Sequence, residues 1–256
     1  MDTPDKGSAR DTGRALSVSP PLVTRTILIV TAAAFLVELL PGLNLLHRLS
    51  FVPALALEQP WRVLSVALVH AQPSPLHLLA NMIGLFFFGS FVERALGHWR
   101  FLTVYLIGTV GGSTMVLLLA EPFSRDWVTN HIGASGAVFA IIGVLLVPTR
   151  RLDRNLTGVV AFVVLNFGYG FLVEGVSWQS HLGGLLTGFV LGCAALLLPR
   201  AGAVRASAVS DGAGRSAAAE SAGRTGASTA IFAAASAGLI VLMLAAGSWR
   251  LVGAGY

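Results

Sequence analysis

Long runs of apolar residues, separated by short polar stretches, dominate this chain. Most of the runs approach the roughly 20 residues that a helix needs to cross the hydrocarbon core of a bilayer. A helix also satisfies its own backbone hydrogen bonds, as a membrane span must. The pattern predicts an all-α polytopic membrane protein, with six helices in a core and a seventh transmembrane helix at the C-terminus. The seven runs lie at about 22–40, 75–92, 101–120, 134–148, 156–173, 179–198 and 228–247.

Polar stretches between the runs predict four parts of the chain. Residues 1–21 form a disordered cytoplasmic tail, and residues 22–198 form the six-helix core. Within that core, segment 41–74 contains several prolines and is expected to lie in the outer membrane interface rather than to span. Residues 199–227, which are rich in Ala, Gly and Ser, form a flexible basic linker. Residues 228–256 hold the extra transmembrane helix and a short tail.

Composition narrows the class of protein. Hydrophobic residues make up 55% of the chain and charged residues only 11%, against about 25% charged residues in a soluble domain. The net charge of +5 comes from basic residues scattered between apolar runs, which argues against a nucleic-acid partner. Cys193 is the single cysteine, so the sequence excludes an intrachain disulfide and a cysteine-based metal cluster.

The distribution of Lys and Arg predicts the orientation in the membrane. With the N-terminus in the cytoplasm and seven spans, thirteen of the 17 basic residues fall on the cytoplasmic side. Cytoplasmic loops carry such an excess of basic residues. We therefore expect a multi-pass protein of the cell membrane with its C-terminus outside. Ser135 and His181 then both lie at the outer ends of their helices.

Ser135 begins the shortest apolar run and lies between Gly133 and Gly136. The two glycines permit a tight turn that would place the serine hydroxyl at a helix N-terminus, where unpaired N–H groups can bind an oxyanion. The same residue types also line ordinary contacts between membrane helices. This motif alone therefore leaves a structural and a catalytic interpretation open.

His181 opens the next-to-last run and is followed by Gly184, Gly188 and Gly192. Small residues at every fourth position let two helices approach closely. If this face meets the face of Ser135, the imidazole can accept the serine proton. Buried histidines in spans are also commonly structural. The sequence places no acidic residue near His181 at that depth, which favours a Ser-His dyad over a triad.

His77 and Asn81 are four residues apart and therefore share one face of the second span. Both side chains can donate hydrogen bonds, and both are predicted at about the depth of Ser135. They suit stabilisation of a tetrahedral oxyanion, together with the backbone N–H of Ser135. The alternative is a pair of hydrogen bonds that hold neighbouring helices together.

Taken together, these motifs resemble the rhomboid family of intramembrane serine proteases. The resemblance runs from about residue 61 to residue 198. In chain order it rests on Trp61-Arg62, His77, Asn81, Glu93-Arg94-Ala95-Leu96-Gly97, residues 101–112, Gly133, Ser135, Gly136, His181, Gly184 and Gly188.

The resemblance implies a six-helix core with a Ser135–His181 dyad and an oxyanion site made by His77 and Asn81. It implies cleavage of single- or multi-span membrane proteins near the outer face, with the lipid bilayer as surroundings, no cofactor and no metal. Glu93 and Arg94 look structural and are expected to pair. Where the family often has a tyrosine that packs on the histidine, this chain has Phe139, whose ring can still stack on imidazole.

Two other classes of function remain open from the sequence. A non-catalytic rhomboid-like protein would bind membrane clients without cutting them, but such relatives usually lack the serine or the histidine. A metal-dependent membrane protein or a transporter is the third class. His70, His77 and His181 are the candidate zinc ligands, although the chain has no His-Glu-x-x-His motif and no clear inverted repeat.

Overall fold

The computed structural model describes residues 20–147, 157–172, 176–196, 216–253 and 255. This part of the chain is helical, with two additional short 3-10 turns at Pro53–Leu55 and Val66–Leu68. We number the α-helices in chain order: α1 (Leu22–Glu38), α2 (Leu45–Leu49), α3 (Arg62–Ser65), α4 (Leu76–Leu96), α5 (His98–Leu119), α6 (Arg125–Val128), α7 (Ser135–Leu146), α8 (Thr157–Leu172), α9 (Trp178–Leu196) and α10 (Ser216–Gly253).

Each predicted apolar run overlaps one of the longer helices. By length and composition, Leu76–Leu96, His98–Leu119 and Thr229–Gly253 are long and apolar enough to cross a membrane. Ser135–Leu146 and Thr157–Gly168 are shorter apolar helices. The prediction of an all-α polytopic membrane protein with a six-helix core and a seventh C-terminal helix is confirmed. The predicted tail, residues 1–21, lies almost entirely outside the described residues.

Helix α7 occupies the centre of the molecule. Of its 12 residues, all but the last are buried, because α5 and α9 pack against it through small residues. The backbone of α7 at Gly136 lies against Gly112 of α5 and Gly184 of α9. A helix of this length rises about 18 Å, which is less than the roughly 30 Å of the hydrocarbon core. A short central helix of this kind can begin below the membrane surface.

Helix α1 is held by a carboxylate from another helix. Glu93 of α4 accepts hydrogen bonds from the backbone N–H of Val23 and of Thr24, both at 2.8 Å, and from the Thr24 hydroxyl at 2.6 Å. A negative charge at a helix N-terminus satisfies unpaired N–H groups and is favoured by the helix dipole. The predicted pairing of Glu93 with Arg94 is wrong. The carboxylate instead pairs with His98 Nδ1 at 2.5 Å, since adjacent helical residues point in different directions.

The segment between α1 and α4 does not span. Its α2 and α3 are short, and the buried guanidinium of Arg62 holds them together. Arg62 Nη1 donates to the carbonyl oxygen of Ser50 and Nη2 donates to that of His47, both at 2.6 Å. Phe51 pairs through two backbone hydrogen bonds with His131. The segment is therefore fixed beside the beginning of α7.

Helix α10 packs against α5 and α9. Near its end, Arg250 Nη2 donates a 2.6 Å hydrogen bond to the carbonyl oxygen of Ala120, just after α5. The helix begins at Ser216, inside the predicted linker 199–227, whose earlier residues lie outside the described ones. The helical span extends to Gly253, beyond the predicted end of the apolar run at residue 247. The bounds of the four predicted parts of the chain remain predictions.

Candidate active site

Ser135 is the first residue of α7, and its position depends on Gly133. The φ angle of Gly133 is +113°, a conformation that glycine adopts without steric cost. Its N–H donates to the carbonyl oxygen of Val66 at 3.1 Å, which ties this turn to the segment before α4. The N-cap residue of α7 is Ala134, whose side chain cannot accept a hydrogen bond. The N–H groups of the first turn therefore depend on another acceptor.

His181 lies in the first turns of α9, which contacts α7 backbone to backbone. A Cβ atom on Gly184 would collide with the carbonyl oxygen of Gly136, and one on Gly188 with that of Ala140. The structure thus brings together the two faces that the glycine spacing predicts. Gly184 is three residues after His181, and Gly136 directly follows Ser135. The serine and the histidine consequently lie at the same end of one helix pair.

An aromatic stack orients the His181 ring. The ring of Phe139 lies parallel to the imidazole, with 4.3 Å between centroids and 7° between planes. Because Phe139 is four residues after Ser135, the two share one face of α7. Phe167 of α8 contacts both rings edge-on, at 5.2 Å from Phe139 and 5.7 Å from His181. The phenyl ring thus stacks on the histidine, as the sequence analysis allows.

Ser135 and His181 are not hydrogen-bonded to each other in this structure. Ser135 is 6% exposed and His181 is 1% exposed. Within the described residues, neither ring nitrogen of His181 has a hydrogen-bond partner. Hydrogen bonds between a nucleophile and its base are often long or poorly aligned before substrate binds. Ser135 and His181 therefore lie at the same end of the α7–α9 pair, and no hydrogen bond joins them.

The side chains of His77 and Ser135 both lie close to Gly133. A Cβ atom on Gly133 would lie 2.8 Å from His77 Nε2 and 3.7 Å from Ser135 Oγ. The N–H of Ala71 donates to His77 Nδ1 at 3.3 Å. A neutral imidazole that accepts at Nδ1 carries its proton on Nε2. The nitrogen that faces Gly133 is therefore the one that carries the proton.

Asn81 lies one turn after His77 and is also buried. Its Nδ2 donates to the carbonyl oxygen of His77 at 2.9 Å. A carboxamide nitrogen has two hydrogens, so this intrahelical bond leaves one for another acceptor. Both the structural and the oxyanion interpretation of Asn81 fit this geometry.

His70, which the sequence analysis names only as a candidate zinc ligand, lies at the candidate active site. It is fully buried, and its ring contacts His77 edge-on at 5.2 Å between centroids. The N–H of Ala134 donates to His70 Nε2 at 3.5 Å, which links the loop before α4 to the residue before Ser135. Burial, and to a smaller extent the His77 ring, lowers the pKa of His70 to about 3, so its imidazole is neutral. The only sequence feature that could have pointed to this contact is the presence of a histidine seven residues before His77.

A metal site is not apparent in the described part of the chain. No group of three or more His, Cys, Asp or Glu side chains there is arranged to hold a metal ion. His70 and His77 are neighbours, but their rings are turned to backbone N–H groups of Ala134 and Ala71. Each of these two imidazoles therefore already uses one nitrogen as an acceptor.

Comparison with known proteins identifies the family. The family model described as Rhomboid domain matches residues 57–198. The chain belongs to the rhomboid family. The matched residues include α4, α5, α7, α8 and α9, and with them every candidate site residue.

Named relatives cover the same part of the chain. Rhomboid protease GluP of Bacillus subtilis (strain 168) is 34% identical over 148 residues, which is 56% of this chain and 27% of that protein. Two proteins of Arabidopsis thaliana are similarly related. RHOMBOID-like protein 4 is 36% identical over 153 residues (57% of this chain, 36% of that protein). RHOMBOID-like protein 5 is 35% identical over 151 residues (56% and 47%). This chain thus spans less than half the length of each of these relatives.

Three helices of this rhomboid, α1, α2 and α10, lie outside the matched residues. Helix α1 is fastened to the matched part by Glu93, and α10 by Arg250. Helices α1 and α10 are therefore both attached to the matched rhomboid core. The chain is a membrane-embedded protein.

Proposed function

We propose that this rhomboid protein is an intramembrane serine endopeptidase with Ser135 as nucleophile and His181 as base. The observation that carries the proposal is the parallel stack of His181 on Phe139, one turn along the face of Ser135. That stack holds the His181 imidazole, which makes no hydrogen bond within the described residues, near the beginning of the buried helix α7. The name of the relative GluP, a rhomboid protease, supports the same class of reaction.

The proposed reaction begins when Ser135 Oγ attacks the carbonyl carbon of a peptide bond while His181 takes the hydroxyl proton. The carbonyl oxygen gains a negative charge. His77 Nε2–H, the second Asn81 Nδ2 hydrogen and the Ser135 N–H stabilise it. His181 then returns the proton to the leaving amine. A water molecule, deprotonated by His181, hydrolyses the acyl-enzyme in the second half of the cycle.

The proposed substrates are single- or multi-span membrane proteins, cut near the outer face within a transmembrane segment. The substrate helix would unwind at the cut, because a peptide carbonyl in a helix is occupied by its own hydrogen bond. We further propose that the protein lies in the cell membrane with a cytoplasmic N-terminus and an external C-terminus. The excess of basic residues on the proposed inner side supports this orientation.

A cleavage assay tests the nucleophile. Purified protein in proteoliposomes is incubated with a single-span substrate, and the products are mapped by mass spectrometry. Ser135→Ala is expected to abolish cleavage. Ser180→Ala is the matched control, since Ser180 directly precedes His181 and its hydroxyl lies between Gly112 and Gly136. Undiminished cleavage by Ser135→Ala, or abolition by Ser180→Ala alone, would contradict the assignment of the nucleophile.

The alternative is a non-catalytic rhomboid protein that binds membrane clients. The absence of a hydrogen bond on either ring nitrogen of His181, within the described residues, is the observation that keeps it open. The same proteoliposomes decide between the two functions. A panel of single-span membrane proteins is offered to the wild-type protein. If some of them are captured and none is cleaved, the result would favour the binding protein.

A further inference from the structure

An apolar groove lies outside the candidate active site, and its lining contains none of the candidate site residues. It has a volume of about 400 Å³ and is formed by segment 51–64, α5 and α10. Phe51 and Leu64 line one wall, Leu117 lies on α5, and Met243 and Leu251 lie on α10. Ligand sites are usually apolar concavities of about 300–1,000 Å³. The groove therefore has the size and character of a binding site.

The groove has the length of one membrane leaflet. Along α10 its lining runs from Ile240 to Leu251, which corresponds to a rise of about 17 Å. Half of a hydrocarbon core of roughly 30 Å is about 15 Å. Among the described residues that line it, none carries a charge. These dimensions fit an acyl chain that extends from the interface toward the middle of the bilayer.

A cation lies at one end of the groove. Arg250 directly precedes the lining residue Leu251, and its Nη2 donates to the carbonyl oxygen of Ala120. Its Nε is buried and has no hydrogen-bond partner among the described residues. Beside it, Trp249 is 75% exposed. Tryptophan and basic residues together are typical of the membrane–water interface, where lipid phosphates lie.

We propose that this groove binds one phospholipid, with an acyl chain between segment 51–64 and α10 and the phosphate on Arg250. Guanidinium groups recognise phosphate oxygens through several N–H donors, and the one hydrogen bond shown for Arg250, from Nη2 to Ala120, uses only one of them. The lipid would belong to the leaflet at the Ser135 end of the molecule, since Phe51 also pairs with His131. This inference does not depend on protease activity.

Two glycines of α10 provide a matched test. A Cβ atom on Gly247 would lie 3.4 Å from Leu117 Cδ2, inside the groove, whereas one on Gly238 would have nothing within 4 Å. Gly247→Leu should fill the groove and Gly238→Leu should not. Purified protein is titrated with dioleoyl phosphatidylglycerol, and bound lipids are counted by native mass spectrometry. We expect one saturable lipid on wild type and Gly238→Leu, and at least tenfold weaker binding to Gly247→Leu.

Two further variants keep the test decisive if Gly247→Leu folds poorly. Thr114→Leu fills the groove from α5 and should weaken lipid binding similarly. Arg250→Gln should weaken binding of phosphatidylglycerol about tenfold and leave binding of dioleoylglycerol, which has no phosphate, unchanged. Equal lipid binding by Gly247→Leu, Thr114→Leu and Gly238→Leu would overturn the proposal. Unchanged lipid binding with a raised KM for a transmembrane substrate would assign the groove to the substrate instead, which also overturns it.

Discussion

Helices α8 and α9 follow one another in the chain, yet they contact the centre of the molecule in different ways. In α9, a Cβ atom on Gly184 or Gly188 would collide with the backbone of α7. In α8, a Cβ atom on Gly158 or Gly168 would meet nothing within 4 Å. Glycine is thus required at these positions of α9 because the helix contact is close. At these positions of α8, packing does not require glycine.

The two helices therefore contribute differently to the candidate site. His181 belongs to α9, whose backbone packs directly against the backbone of α7, so the two helices cannot move closer together. Helix α8 reaches the site through the edge of Phe167 and contacts α4 through Phe162, which lies 5.2 Å from Phe88. Its outer face is open, with Val164 63% and Leu165 72% exposed. The position of His181 is fixed by contacts inside the core, whereas α8 packs on the outside of that core.

Breaking the tight contact should have the largest effect. Gly188→Ala places a methyl group against the carbonyl of Ala140, and overpacking of a core costs about 1–3 kcal/mol or more. We expect Gly188→Ala to lower the free energy of unfolding by about 3 kcal/mol and to abolish cleavage. Unfolding of the purified protein in detergent, followed by circular dichroism, measures the first quantity.

Gly158→Ala is the matched control in α8. Replacing glycine by alanine within a helix is favourable by roughly 0.5–1 kcal/mol where space permits. The variant should therefore be as stable as wild type or slightly more stable. Equal losses of stability for the two variants would remove the distinction between α8 and α9.

A pair of asparagines sharpens the comparison at the site. Asn81 and Asn166 each donate a 2.9 Å hydrogen bond to the carbonyl oxygen four residues earlier, in α4 and α8 respectively. If Asn81 also stabilises the oxyanion, Asn81→Ala should lower kcat roughly 100-fold, whereas Asn166→Ala should leave kcat within about twofold. Steady-state kinetics with a reconstituted substrate measures both.

The unfolding temperature of each asparagine variant serves as the control. A structural role alone predicts similar changes in kcat and stability for the two variants, since the bonds they lose are equivalent. Such similarity would remove Asn81 from the proposed oxyanion site.

The two phenylalanines around His181 test how its ring is held. Phe139 stacks on the imidazole and Phe167 contacts it by an edge. An aromatic pair contributes about 0.5–1.5 kcal/mol beyond its buried area, which corresponds to roughly 2- to 13-fold in rate. Phe139→Leu should lower kcat in that range, and Phe139→Tyr should preserve it. Phe167→Leu should have the smaller effect of the two leucine variants, and the reverse order would contradict the assigned roles.

Much of this arrangement follows from the sequence because it depends on spacing. Apolar runs predict the helices, and glycines at four-residue intervals predict which faces of α7 and α9 meet. The partners of Glu93 and the position of His70 could not be predicted in this way. Each depends on contacts between distant segments, namely the N-terminus of α1 at residue 23 and the N–H of Ala134. Local periodicity carries no information about such contacts.

The smallest effect is expected on the open face of α8. Leu165→Ala shortens a side chain that is 72% exposed, and substitutions at such positions usually change stability by less than about 0.5 kcal/mol. Both the unfolding free energy and kcat should match those of wild type. A loss of stability above 1 kcal/mol would show that α8 is held more firmly than its exposed face indicates.

The Ser135–His181 dyad is tested most directly by covalent labelling with a fluorophosphonate, followed by peptide mapping. Wild-type protein should carry one label on Ser135, and both Ser135→Ala and a folded His181→Ala variant should remain unlabelled. A label on another serine, or full labelling of Ser135 without the imidazole at position 181, would contradict the proposed site.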